Sequence, residues 1–193
     1  LSFYEQLEFY NKYREEIKEY NIEKPLWIFV GGTATKNRSK NVNPDVVRII
    51  KFIYRITENE PLLKDNIYKI LNNKSGLIDD RGNDIFAGKY EFLKTMKIDD
   101  IVDGIFEKVF NGKGKIELYE LSNADGEIGI RTSGNEYFAV IRIGNISSLV
   151  KLLFKSIGLE VSKDRFTESL FFDIDSNTST VNILIGAKRF IEG

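Results

Sequence analysis

The chain has 193 residues, 42% hydrophobic and 30% charged, with 28 Lys and Arg against 29 Asp and Glu. That is a globular composition with room for one substantial core or at most two small ones, and the balanced charge confines any nucleic-acid contact to a local patch. Cysteine and histidine are both absent, which excludes disulfides, thiolate metal sites and a serine or cysteine hydrolase of the usual kind, and nearly excludes a zinc enzyme.

Ser2, with Glu5 three residues on, has the form of a capping box opening an amphipathic helix. Phe3, Leu7, Tyr10, Tyr13, Ile17 and Tyr20 supply its apolar face, and Pro25 ends the pattern. Leu26 to Val30 form a continuous apolar run, which predicts a strand buried on both faces, as in the parallel sheet of an α/β protein. The run leaves through Gly31-Gly32-Thr33-Ala34-Thr35 into a basic, polar loop that reaches Lys40. Asn43-Pro44 predicts a new helix, with asparagine as N-cap and proline in the first turn. Val46, Val47, Ile49, Ile50, Ile53 and Tyr54 give that helix a wide apolar stripe.

From Glu60 to Phe110 the pattern is helical, with breaks at 72–76 and 82–88. Lys115 to Leu121, Glu127 to Thr132 and Tyr137 to Ile143 alternate apolar with polar residues, and turns at 123–126 and 133–135 separate them. This predicts an antiparallel meander. Asn145 is expected to cap a helix carried by Ile146, Leu149, Val150, Leu152, Leu153 and Ile157, with Gly158 as its stop. A last apolar strand, Val181 to Ile185, ends in Gly186-Ala187-Lys188. No repeat or low-complexity linker divides the chain. One α/β domain over 1–193 is expected, with 60–143 inserted as a helical segment and a meander. No apolar run approaches the ~20 residues of a membrane span, and a cytoplasmic location is expected.

Two buried-type strands each end in glycine followed by hydroxyl or basic residues: IFVGGTAT, Ile28 to Thr35, and ILIGAKRFIEG, Ile183 to Gly193. In open α/β sheets, ligands collect at the carboxyl ends of strands. Glycine lets backbone N–H groups approach a phosphate, and a hydroxyl or lysine completes the contact. The same glycines would also serve a tight turn that binds nothing. Lys36, Arg38 and Lys40 fall in the loop after the first strand, where they suit either nucleic-acid phosphates or a solvated surface.

Other motifs fail on their spacing. Gly112-Lys113-Gly114-Lys115 lacks the phosphate-loop pattern and precedes an alternating strand, so it is a turn. Asp173-x-Asp175-x-Asn177 opens like a calcium loop, but Thr178 stands where glycine is needed and Leu184 where the bidentate glutamate belongs. Asp79-Asp80 suits a turn, and Asp99-Asp100 the first turn of a helix. With no P-loop lysine and no acidic motif after a strand, the chain alone is not expected to hydrolyse ATP. No catalytic residue and no metal ligand is assigned.

Lys24 to Gly31 (KPLWIFVG), Asp45-Val46-Val47, Gly129 to Arg131 with Phe138 to Gly144, Ser169-Leu170-Phe171 and Asn182 to Gly193 (NILIGAKRFIEG) resemble the Res subunit of type III restriction-modification enzymes. The matches run in order from Lys24 to the end, and Asn182 to Gly193 is the most specific of them. The resemblance implies a DEAD/DEAH-type helicase with two RecA-like lobes closing on ATP and DNA. This chain would be a truncated second lobe, a parallel sheet of P-loop NTPase type flanked by helices.

Within that resemblance, Trp27 to Gly31 is similar to motif IV and Gly186 to Gly193 to motif V. By that analogy Gly186 and Lys188 face nucleic acid, and Gly31, Gly32, Thr33, Thr35, Lys36 and Arg38 form a phosphate-facing loop. Glu192 and Gly193 approach the nucleotide cleft. Thr33-Ala34-Thr35 also resembles a motif III triad, and both placements stay open. The P-loop lobe, the arginine-finger motif and a nuclease domain are expected outside these residues. ATP and Mg2+ are the cofactors implied for the intact parent, and none for this fragment. Double-stranded DNA, the first helicase lobe and the modification (methyltransferase) subunit are the implied partners. A reading of another class is a non-catalytic protein-interaction module, in which the hairpins bind protein and the glycine turns are structural.

Overall fold

In the computed structural model, which describes residues 1–31, 44–144 and 146–187, the elements follow in chain order. They are α1 (Ser2–Lys12), α2 (Arg14–Ile17), β1 (Trp27–Gly31), α3 (Pro44–Thr57), α4 (Glu60–Leu71), α5 (Ile98–Val109), β2 (Ile116–Leu121), β3 (Glu127–Thr132), β4 (Tyr137–Arg142), α6 (Ile146–Ile157), β5 (Val161–Asp164) and β6 (Ile183–Ala187). Contacts divide the chain into two units: Leu1–Pro25 with Asn59–Val109, and Leu26–Glu58 with Phe110–Gly193. The stretch 60–143, expected as one insertion, is thus shared between them.

The second unit is built on a six-stranded sheet in the order β1-β6-β4-β3-β2-β5. β1 pairs with β6, β6 with β4 and β2 with β5 in parallel, while β3 is antiparallel to both β2 and β4. Two antiparallel steps restore direction, so β2 and β4 run the same way. Five strands therefore point their carboxyl ends to one rim, and β3 alone among the described strands is reversed. The fold class is α/β, with a mostly parallel mixed sheet.

α3 packs on β1 and β6 and against α6. Val46, Val47, Ile50 and Ile53 of its stripe are buried, as the spacing predicts. Beneath the helices Ile128, Ile130, Ile141, Ile183 and Ile185 are fully buried, each worth roughly 1.5–3 kcal/mol of transfer free energy. The opposite face is covered over its middle strands by the irregular segment after β5. There Leu170, Phe171 and Ile174, with Leu26, pack on Val140, Val181 and Leu184.

Two expectations about this unit are corrected, and one strand has no counterpart in the sequence pattern. β1 is not buried on both faces: it is the edge strand, with Ile28 51% and Val30 40% exposed while Trp27 and Phe29 are half-buried. An apolar run at an edge looks the same in sequence as one at the centre. The meander is not separate from the sheet, because its third strand β4 pairs with β6. β5, with a single apolar residue in VSKD, carries no strand pattern of its own and exists through its parallel pairing with β2.

The first unit is helical, with α5 packed against both α1 and α4. Tyr4 of α1 is buried directly over Gly104 of α5. An ion pair of 2.5 Å joins Lys108 to Glu8, and another joins Lys64 to Asp99. The capping box at Ser2 does not form. Leu1 is the N-cap, and the Ser2 hydroxyl bonds the Tyr90 hydroxyl at 2.8 Å instead. The expected breaks widen into one stretch, 72–97, that lacks α-helix. Two aspartates organise part of it. Asp84 accepts from the amides of Ser75 and Phe86 and from Ser75 Oγ, and Asp79 accepts from the amides of Arg81 and Asn83. Such side-chain acceptors compete with the helix for backbone donors. Asp99 and Asp100 stand in the first turn of α5, as expected.

Candidate functional site

The rim where five strands end is the place at which an α/β sheet gathers ligands. β1 and β6 lie side by side there, with Val30 opposite Gly186 and Gly31 opposite Ala187. The two glycine ends singled out in the sequence are therefore neighbours, and both glycines are buried. Gly32, Thr33, Thr35, Lys36, Arg38, Lys188, Glu192 and Gly193 lie outside the described residues.

The same rim continues across β4 and β3. Arg142 stands opposite Gly186 on one side and opposite Glu127 on the other. Its guanidinium carbon lies 4.2 Å from the Phe171 ring centre and 4.9 Å from that of Phe172, so the cation is held by aromatic faces. Glu127 is buried, and its two oxygens accept from Ser169 Oγ at 2.7 Å and from the Phe171 amide at 3.2 Å. Arg142 Nη1 approaches the Glu127 carboxylate only to 3.8 Å, and this buried nitrogen makes no hydrogen bond. In sequence, Arg142 has no role beyond its place in the Phe138 to Gly144 run. A charged residue closing an alternating strand is a common pattern, and only the register sets it beside Gly186.

A second polar cluster lies on the meander. Arg131 Nε donates to Glu117 at 3.0 Å and its Nη2 donates to the Tyr119 hydroxyl at 3.0 Å. The hydroxyls of Tyr119 and Ser133 also donate to Glu117, at 3.1 and 2.9 Å. Ser133 foremost, then Arg131 and Tyr119, hold the Glu117 carboxyl below the usual carboxylate range against the opposing effect of burial.

Beside it Tyr137 donates to Asp164 at 2.7 Å, and Asp164 also accepts from Thr167 Oγ1 and from the amides of Phe166 and Thr167. Burial works to raise Asp164, but these four donors outweigh it and hold the carboxyl far below its ordinary value. Burial and the Asp164 carboxylate push the Tyr137 hydroxyl well above its ordinary value. Each carboxylate is met by donors, which makes the cluster a brace tying β2, β3 and β4 to the turn after β5. Neither Tyr137 nor Asp164 stood out in the sequence, because the strand that ends at Asp164 was not expected.

Among the described residues, no group of three or more Asp or Glu side chains is placed to hold a metal ion. No helix among them is long and apolar enough to cross a membrane. Asp173, Asp175 and Asn177 sit in a run of turns. No protein-family model, curated protein or solved structure matches the chain.

Proposed function

We propose that these residues are the second motor lobe of a type III restriction enzyme's Res subunit, a RecA-like lobe that holds DNA phosphates and one side of a nucleotide cleft. One observation carries the reading: the strands that resemble motifs IV and V are adjacent, parallel and in register, with Val30 opposite Gly186. A motor lobe has to bring both glycine ends to one ligand, and here residues far apart in sequence are neighbours only through strand order.

On this reading Gly31, Gly32, Thr33 and Thr35 offer backbone and hydroxyl donors to a phosphate, and Lys36, Arg38, Lys40 and Lys188 supply charge. Glu192 and Gly193 border the nucleotide. ATP with Mg2+, bound between this lobe and the first, supplies the free energy of closure in the parent. The chain's own part is to grip duplex backbone as the cleft closes.

The test is equilibrium binding to a duplex oligonucleotide by the native chain, by Lys36→Ala/Arg38→Ala/Lys40→Ala and by Lys188→Ala. Weaker binding in both variants is expected. Binding unchanged in both would remove the two glycine turns as a DNA contact. The interaction-module reading has its own observation, the exposure of Phe166 at 91% and Phe172 at 71%. It prevails if the basic residues are inert and substitution of these aromatics abolishes capture of the modification subunit.

A further inference from the structure

Arginine carries five N–H donors and stays charged at any pH a folded protein meets. Where such a side chain is held inside a fold, those donors are normally matched by carboxylates, carbonyls or water. Arg142 is not matched in this way. Its buried Nη1 has no hydrogen bond, and the nearest carboxylate, Glu127, stands 3.8 Å away with both oxygens engaged by Ser169 and the Phe171 amide. What holds the guanidinium is its contact with the Phe171 and Phe172 rings, which consumes no donor.

The side chain is 32% exposed while Nη1 is sealed, so its open part belongs to its other atoms. Arg142 itself is the last residue of β4, at the carboxyl rim. On the β6 side the register partner of Arg142 is the buried Gly186, and the next partner along is the half-exposed Val30. The result is a cation with an unmatched donor, loosely paired with Glu127, at the rim where the parallel strands end and anions are usually met.

We infer that Arg142 is an anion-binding residue that takes a phosphoryl group at the rim beside Gly186. The group comes from a nucleotide or from a nucleic-acid backbone, which share the chemistry Arg142 recognises. This deepens the motor-lobe reading and rests on it for the choice of phosphate, but uses only residues 127, 142, 171, 172 and 186. Glu127 acts as a positioning residue. It keeps the guanidinium near the sheet without saturating it, and it competes with the arriving anion.

The experiment is calorimetric titration of pyrophosphate, ADP and a duplex oligonucleotide into the native chain, Arg142→Gln, Glu127→Gln and the double variant Arg142→Gln/Glu127→Gln. The native chain is expected to bind pyrophosphate, and Arg142→Gln to weaken that binding about 10- to 100-fold. Because Arg142→Gln leaves Glu127 buried without its counterion, the double variant carries the same test with both charges gone, and it too should lose the anion. Glu127→Gln keeps one acceptor oxygen for the Phe171 amide, offers its NH2 to Ser169 Oγ and removes the competing charge, so its pyrophosphate affinity should rise several-fold. A purely structural ion pair would not produce that gain. Loss confined to ADP identifies the phosphoryl as a nucleotide's, and loss confined to the duplex identifies it as a backbone's. Native binding that survives in Arg142→Gln and in the double variant, or no anion binding by the native chain, overturns the inference. The lobe reading is judged separately, by duplex binding in the Lys36, Arg38, Lys40 and Lys188 variants.

Discussion

Gly31, the last residue of β1, and Gly186, the last but one of β6, lie one step apart in register on adjacent parallel strands, since Val30 pairs with Gly186 and Gly31 with Ala187. The strand that places Gly31 there is held unequally. One face of β1 meets α3, with Trp27 edge-on to Phe52 at 6.4 Å, and the other leaves Ile28 and Val30 half-exposed.

That asymmetry predicts unequal costs on truncation. Ile28→Ala should lower stability by about 1 kcal/mol or less, because much of its surface is already in water. Ile185→Ala on the neighbouring strand, fully buried, should cost roughly 2–5 kcal/mol. Urea unfolding of the two variants measures the difference. Equal costs would mean that β1 is covered on both faces.

Gly129 of β3 lies directly under the Tyr137 ring. A Cβ at that position would stand 2.6 Å from Tyr137 Cε1 and 3.1 Å from Leu170. The ring cannot easily withdraw, because its hydroxyl is bonded to Asp164. Gly129→Ala should therefore destabilise by roughly 1–3 kcal/mol through overpacking. In Tyr137→Ala the same substitution should cost much less. A double-mutant cycle by chemical denaturation reads the coupling, and strict additivity would refute the account.

Gly104 makes the corresponding case in the helical unit. Alanine in place of glycine inside a helix ordinarily gains about 0.5–1 kcal/mol. At position 104 the added methyl would meet the ring and hydroxyl of buried Tyr4. Gly104→Ala should lose roughly 1–3 kcal/mol instead. A raised melting temperature in that variant would show that α1 and α5 are not packed as described.

The brace at Asp164 predicts an acid limb. Its carboxyl titrates below its unfolded value, so its contribution is present above the unfolded pKa of about 3.9 and is lost as pH falls from there toward the lower folded value. Glu117 acts in the same sense. Asp164→Asn should be less stable than the native chain at neutral pH, and the difference should shrink as pH falls below about 4. A gap that stays constant down to pH 2 would show that the ionised form is not what the four donors hold.

Patterns decided by local periodicity were legible in the sequence. The α3 stripe, the three alternating strands of the meander and the first turn of α5 all appear where expected. Features decided by long-range pairing were not. β5 depends on β2, β1 lies at an edge because of strand order, and Ser2 bonds Tyr90 although the local sequence favours capping. The site divides in the same way. Each glycine end is visible as a strand exit, but their adjacency is a property of the sheet. Arg142 differs from an ordinary surface arginine through its contacts with Phe171 and Phe172 and through an already engaged Glu127, both brought to it by long-range packing.

The most direct measurement of the central claim is the salt dependence of duplex-DNA binding, from low to physiological ionic strength, for the native chain, Lys36→Ala, Lys188→Ala and the double variant. If both glycine turns grip one backbone, each lysine removed should lower the slope of log K against log salt by roughly one unit, and both losses should appear in the double variant. A native slope near zero, or a slope that neither substitution changes, would contradict a DNA-holding motor lobe.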